Sequence, residues 1–189
     1  IIQLVKLMKD GEEVKISKRT GDLIELRDVI DEVGADATRL VYLLQSIDSQ
    51  QTVDLGVIAS QSMDNPVFYV QMAHARLCSI AARAAERGVE RPALADTDLS
   101  PLTHERETEV LRRLNGLPSV IELAARERAP HKVTTWLREY AADIHGFYHD
   151  CPILRDDVDP AVRDARWWLA EAAKRGLHSG LTVLGVSAP

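Results

Sequence analysis

From Asn65 onward the sequence is patterned for long helices, and that periodicity limits the fold more than any other feature. Asn65-Pro66 offers a favoured N-cap followed by proline at the first helical position. Tyr69, Ala73, Leu77, Ile80 and Ala84 then recur at three and four residues until Gly88 closes the series. A second run begins near Pro130 and carries Val133, Trp136, Leu137, Tyr140, Ala141, Ile144, Phe147 and Tyr148. It ends where Cys151 precedes Pro152, because the residue before a proline resists the helical region. A third run spans Ala161 to Leu177, and two shorter helices are expected at Thr103–Asn115 and Pro118–Arg128, divided at Pro118. The apolar tail from Leu181 to Val186 is expected to pack back on them. Stripes of this kind must be buried against one another, so residues 55–189 are expected to form an all-α helical bundle.

The residues before the bundle read differently. An apolar run from Ile1 to Val5 continues to Asp10-Gly11 and returns through Glu13–Ile16, which is the signature of a β-hairpin. Leu26, Val29, Ile30 and Val33 then mark a helix ending at Gly34. Asp36 is placed to cap the next helix, whose apolar members are Ala37, Leu40, Val41, Leu43 and Leu44. The stretch Ser46–Asp54 reads as a polar separator. Three segments are therefore expected: residues 1–21 as the end of an upstream domain, 22–54 as connecting helices, and 55–189 as the bundle. The hairpin is read as a remnant of a domain whose body precedes Ile1.

Composition narrows the setting. Two cysteines, Cys78 and Cys151, lie too far apart for a disulfide framework and point to a reducing cytosol. No apolar run approaches the ~20 residues a transmembrane helix needs. The net charge of −6 means that any grip on nucleic acid must come from a local patch rather than the overall balance.

Several residues could carry chemistry. Lys15-Ile16-Ser17-Lys18-Arg19 places two ammonium groups three apart on a loop after a strand, where they can neutralise charge on nucleotide phosphates. An ordinary solvated basic turn matches the same five residues. Tyr69, Trp136, Tyr140, Phe147 and Tyr148 are either core or stacking platforms for unpaired bases. Arg76 lies two turns beyond Tyr69 and suits a phosphate or a carboxylate alike, while Arg83, Arg87 and Arg91 prolong a basic edge that usually means a solvated face. His145 and His149 with Cys151 suggest zinc, but a fourth ligand is lacking, so no metal is expected. His131, Trp167 and Trp168 read as a helix-start residue and packing groups.

The stretch Asn65–Arg76, reading NPVFYVQMAHAR, resembles the helix that opens the anticodon-binding domain of arginyl-tRNA synthetases. Three further stretches resemble that family in the same order. They are Gly34-Ala35-Asp36-Ala37-Thr38-Arg39, Pro130-His131-Lys132 with His145-Gly146-Phe147-Tyr148, and Gly185-Val186-Ser187-Ala188-Pro189. Lys15–Arg19 is similar to the KMSKS loop of class I synthetases, with Ile16 replacing Met and Arg19 replacing the final Ser.

The resemblance implies the C-terminal part of an enzyme that attaches arginine to tRNA(Arg) using ATP and Mg²⁺. Lys15 and Lys18 would stabilise charge on the leaving pyrophosphate, within an ATP-binding loop that includes Ile16, Ser17 and Arg19. A DALR-type bundle would dock the anticodon, with Asn65, Tyr69, Met72, Arg76, Trp136, Tyr140, Phe147 and Tyr148 as tRNA-binding candidates. Met72 stands where family members often carry Tyr. The arginine and ATP pockets would lie in the upstream body, so this chain alone is expected to hold no cofactor and to lack aminoacylation activity. The competing readings are another class I synthetase, such as the cysteine enzyme, and a stand-alone helical RNA-binding or scaffold module.

Overall fold

The computed structural model describes residues 5–9, 11–14 and 25–189. Strand β1 (Val5–Lys9) and strand β2 (Glu12–Glu13) precede helices α1 (Leu26–Val33) and α2 (Ala35–Tyr42). Strand β3 (Gln51–Asp54) and the short α3 (Leu55–Ala59) follow. The bundle then comprises α4 (Pro66–Glu86), α5 (Glu105–Glu127), α6 (His131–Asp150) and α7 (Pro160–Val183). The chain is mostly helical, as its periodicity implies.

The hairpin forms, with Glu12–Glu13 as its return strand; Lys15 and Ile16 of the expected return run lie outside the described residues. β1 and β2 pair antiparallel, Met8 with Glu13 and Lys9 with Glu12, and Gly11 takes the left-handed φ of +81° that the tight connection requires. The polar separator is a correction, since its last four residues are β3. This strand lies parallel to β1 from Val5↔Gln51 to Met8↔Asp54, giving the sheet order β2-β1-β3. Val53 is its one aliphatic residue, and it is buried. Gln51 donates from its side chain to the Val41 carbonyl at 2.5 Å, and Asp54 accepts from Gly56 and Val57 to cap α3.

Asp36 is a second correction. It does not cap α2; it accepts hydrogen bonds from the Ser187 backbone N–H, at 3.2 Å, and from the Ser187 hydroxyl. With Leu184 and Val186 buried, this contact fixes the C-terminal strap, which does pack back on the helices. Arg39 donates to the Gly185 carbonyl and Gln71 to the Ser187 carbonyl, so α2 and α4 hold the strap together.

Asn65 performs the capping its sequence implies, accepting from Val67 N at 3.0 Å and Phe68 N at 3.4 Å. Its amide also donates to the carbonyls of Ile58 and Ser60, so one buried side chain joins the end of α3 to the start of α4. Helix α5 was expected as two helices but runs unbroken past Pro118. Val110, Leu117 and Ala124, seven residues apart, are buried along it, while Pro118 is exposed. Packing along the whole length of α5, chiefly against α6, outweighs the ~3 kcal/mol that an interior proline costs.

Helix α7 approaches its neighbours through small residues. A Cβ at Gly176 would fall 2.5 Å from Leu114 Cδ1 and 3.1 Å from Tyr140 Cε1. One at Gly180 would fall 2.8 Å from Leu137 Cδ2. The linker before α5 is fastened to α7, with the Arg91 guanidinium 4.0 Å from the centre of the Trp168 ring and Trp168 Nε1 donating to the Pro92 carbonyl at 3.1 Å. Trp167 is buried, as its packing role implies.

Candidate nucleic-acid interface

The structure divides the candidate residues into a buried set and a surface set. Trp136, Tyr140 and Phe147 belong to the core of α6, so the stacking reading is corrected for these three rings. Their faces meet protein, and Trp136 Nε1 donates to the Arg113 carbonyl at 3.0 Å. Asn65 is likewise buried with its side chain fully bonded, so it shapes the surface rather than forming it.

Among the described residues, the Tyr140 hydroxyl is the one buried side-chain polar atom without a hydrogen-bond partner. Burial pushes this phenol far above its usual range, with Asp143 adding to the shift. An unpaired buried hydroxyl costs about 1–3 kcal/mol. Tyr140→Phe should therefore leave stability unchanged or raise it by about 1 kcal/mol in urea unfolding. A clear loss would show that the hydroxyl has a partner after all.

Tyr69, Met72, Arg76 and Tyr148 are only partly buried, and Tyr69, Arg76 and Tyr148 gather where α4 crosses α6. Arg76 Nη1 lies 2.8 Å from His145 Nδ1, and His145 Nε2 lies 3.1 Å from the Tyr69 carbonyl oxygen. The Tyr69 and His145 rings meet edge to face with centroids 4.6 Å apart. The Arg76 guanidinium sits 5.7 Å from the centre of the Tyr148 ring, and Arg83 donates to the Tyr148 hydroxyl at 2.9 Å. The result is a continuous row, Tyr69–His145–Arg76–Tyr148–Arg83, of three rings and two cations.

A groove lies at each end of this row. One, of 420 Å³, is lined by Met63, Asp64, Pro66 and Tyr69 on the α4 side and by Thr135, Arg138, Glu139 and Ala142 on α6. The other, of 280 Å³, has Arg83, Arg87, Arg155 and Tyr148 above a floor of Ile80 and Ile153. Arg87 is fixed there by donating to the Leu154 carbonyl. The chain is acidic overall, yet the Tyr148 end of this face concentrates arginine, whereas the Tyr69 end sets Arg138 beside Asp64 and Glu139.

Burial raises the Tyr69 phenol above its ordinary value, Arg138 and Arg76 oppose that shift, and Asp143 adds to it. Burial lowers His145, and Arg76 lowers it further, while the Tyr69 carbonyl works the other way. His74 is also lowered, chiefly by burial and despite its bond to the Pro189 carbonyl oxygen. A histidine whose folded value is depressed contributes its full stability above the ordinary value near 6.5. That contribution is lost as the pH falls through the folded value. The melting temperature should therefore drop between about pH 7.5 and 5.5, before the carboxylates titrate; a flat profile there would contradict the assignment.

Sequence reasoning missed Arg138, and it weighed His145 as a metal ligand and as part of a family-like stretch but not as a member of the tRNA-binding set. Both ring nitrogens of His145 have protein partners, and His149 is exposed beside Asp150. The Cys151 thiol is buried and pushed up to about 11, mainly by burial and then by Glu107. Among the described residues no group of three or more His, Cys, Asp or Glu side chains has metal-holding geometry. One signal was available: Arg138, His145 and His149 fall on one polar edge of α6 beside its apolar stripe. Lys15, Ile16, Ser17, Lys18 and Arg19 lie outside the described residues.

Comparison with known proteins agrees with this fold. The chain is 43% identical over 189 residues to an arginine–tRNA ligase of Syntrophotalea carbinolica, and 42% identical over the same length to one of Staphylococcus epidermidis. These alignments take in the whole chain but only 34% of each relative, so the chain spans about a third of the length of the proteins it matches. A solved Campylobacter jejuni structure, described as a candidate arginyl-tRNA synthetase, superposes with a TM-score of 0.84 at 27% identity. That superposition covers all of this chain and 40% of the other. The Thermus thermophilus arginyl-tRNA synthetase shares the fold with a TM-score of 0.72 at 23% identity, over 97% of this chain and 34% of that one. The model of the DALR anticodon-binding domain matches residues 70–189, which takes in most of α4 and all of α5, α6, α7 and the strap, and the chain belongs to that family.

Proposed function

We propose that this chain is the anticodon-docking part of an arginine–tRNA ligase and that the α4–α6 face receives the anticodon of tRNA(Arg). The observation that carries the reading is the row Tyr69–His145–Arg76–Tyr148–Arg83, which presents partly buried rings beside two arginines. Rings of this kind can stack on unpaired bases, and the guanidinium groups can meet phosphates. Within this reading the bundle performs no chemistry. Its docking energy supports a reaction at a distant centre, the use that remote binding energy serves in enzymes generally.

The arginine, ATP and Mg²⁺ of the whole enzyme would be handled by the two thirds of the relatives' length that this chain does not span. Lys15 and Lys18 would contribute charge stabilisation from the KMSKS-like loop, with Ile16, Ser17 and Arg19 completing it. We place the whole enzyme in the cytoplasm; no described helix is long and apolar enough to cross a membrane. We also propose the division into residues 1–21, 22–54 and 55–189. The pairing of β3 with β1 supports close association of the first two segments.

The reading is tested by titrating the 189-residue chain with tRNA(Arg) carrying its native middle anticodon cytosine or a substituted base. Loss of one well-read base should weaken binding by about 1–3 kcal/mol, roughly 5- to 150-fold. Equal binding of the two tRNAs, or none of either, would overturn it.

A further inference from the structure

We infer that His145 is a positioning residue: from one side it fixes the Arg76 guanidinium and from the other the Tyr69 ring and backbone, so that both present to the RNA in a single arrangement. The inference rests on the anticodon reading above and names the group that organises that site.

The hydrogen bonds allow only one protonation pattern. Arginine is a donor at every nitrogen and cannot accept, so His145 Nδ1, 2.8 Å from Arg76 Nη1, must be the bare nitrogen. The proton therefore sits on Nε2, which donates to the Tyr69 carbonyl at 3.1 Å. The same ring packs edge to face against Tyr69, with planes 66° apart. One neutral imidazole thus restrains both Tyr69, which borders a groove, and Arg76, which lies between the two grooves. Arg76 keeps further N–H groups for a ligand, because a single atom of its fork is engaged with His145.

A second proton on His145 would break this arrangement. Nδ1–H would then face an Arg76 N–H, donor against donor and cation against cation. The charged and titratable groups around the site do not compensate. Arg76 and Tyr69 face it from α4; Arg138, Asp143, Tyr148 and His149 share α6 with it. Asp143 is engaged by Arg113 of α5. Arg106 of α5 passes beside Gly146 and is paired with Asp150 and Glu109. Protonation therefore drives Arg76 and the imidazolium apart, and the displaced ring shifts its edge-to-face contact with Tyr69 even though Nε2–H can still donate to the Tyr69 carbonyl. Base discrimination should fall in acid even though the added positive charge favours RNA in general.

The test compares wild type, His145→Gln and His145→Phe. Each is titrated with tRNA(Arg) and with its middle-base-substituted form at about pH 7.5 and 5.5, with urea midpoints recorded alongside. The readout is the ratio of the two dissociation constants, which uniform electrostatic attraction does not alter. Wild type should discriminate about tenfold or more at the higher pH and lose at least about threefold of that ratio in acid. Glutamine can accept from Arg76 and donate to the Tyr69 carbonyl without titrating, so His145→Gln should keep the ratio at both pH values. His145→Phe, which can do neither, should lose the ratio at both.

If wild type does not discriminate, the anticodon reading fails and this inference falls with it. If wild type and His145→Phe discriminate equally, only the role of His145 fails. Should His145→Phe not fold, the pH profile of wild type against His145→Gln decides the matter, and identical slopes overturn the inference. A readout independent of RNA is the ¹⁵N spectrum of the His145 ring, where a proton on Nδ1 at neutral pH would also overturn it.

Discussion

Glu107→Ala should cost the chain about 3–5 kcal/mol of stability, the loss expected when one partner of a buried ion pair is removed. Glu107 is completely buried near the start of α5, and its Oε1 lies 2.6 Å from Arg166 Nε on α7. Its second oxygen accepts from the His104 backbone N–H at 2.8 Å, closing a capping box at the helix start. Arg166 in turn donates to the Pro152 carbonyl at 3.0 Å, in the turn after α6. One carboxylate thus joins three elements of the bundle. Alanine leaves the guanidinium without its counter-charge where its side chain is only 14% exposed, and the capping bond is lost as well.

The experiment is a double-mutant cycle read from urea midpoints. Removing both charges, as in Glu107→Met with Arg166→Met, should cost clearly less than the sum of the single changes, because neither leaves a stranded ion. Additive single and double losses, or an alanine variant within about 1 kcal/mol of wild type, would sink the account.

The sequence makes some of this architecture legible and hides the rest for definable reasons. The start of α4 is legible because capping is local: Asn65 and Pro66 act on backbone groups two and three residues away. β3 is not, because Gln51-Thr52-Val53-Asp54 becomes a strand only through β1, more than forty residues earlier. Asp36 is misread for a similar reason, since its partner Ser187 arrives from the far end of the chain. Pro118 carries a local signal to break the helix, and packing against α6 overrides it. Gly176 and Gly180, which let α7 close on the bundle, have no local signature that separates them from helix-weakening glycines.

The interface shows the same division. α6 is apolar around much of its circumference because α4, α5 and α7 all pack on it. Trp136, Tyr140 and Phe147 therefore share helical spacing with Tyr148, and spacing alone does not tell inside from edge. Burial makes the distinction, and it moves the candidate surface to the α4–α6 seam. The motif NPVFYVQMAHAR still marks that seam, but within it Asn65 builds the helix start while Tyr69 and Arg76 reach the surface. His145, distant in sequence from all of them, completes the row.

Removing the Tyr69 ring should produce the largest single loss of RNA affinity on this face. Stacking of one base on an aromatic side chain contributes about 1–3 kcal/mol, so Tyr69→Ala should weaken tRNA(Arg) binding roughly 5- to 150-fold. The loss should be much smaller for a tRNA that lacks the middle anticodon base, because every base offers a face to the ring. Tyr69→Phe keeps the ring and its edge-to-face contact with His145, so it should bind within about threefold of wild type. Arg76→Gln should behave differently, because a cation facing phosphate acts through counterion release. It should weaken both tRNAs alike and lower the salt-dependence slope by about one, whereas Tyr69→Ala leaves that slope unchanged. Tyr140→Phe, altered only within the core, should change neither affinity nor slope. If Tyr69→Ala bound the native tRNA as tightly as wild type, the stacking role would be wrong even with Arg76 upheld. If instead Tyr69→Ala lowered the salt slope as Arg76→Gln does, the ring would be acting by holding the arginine row in place rather than by meeting a base.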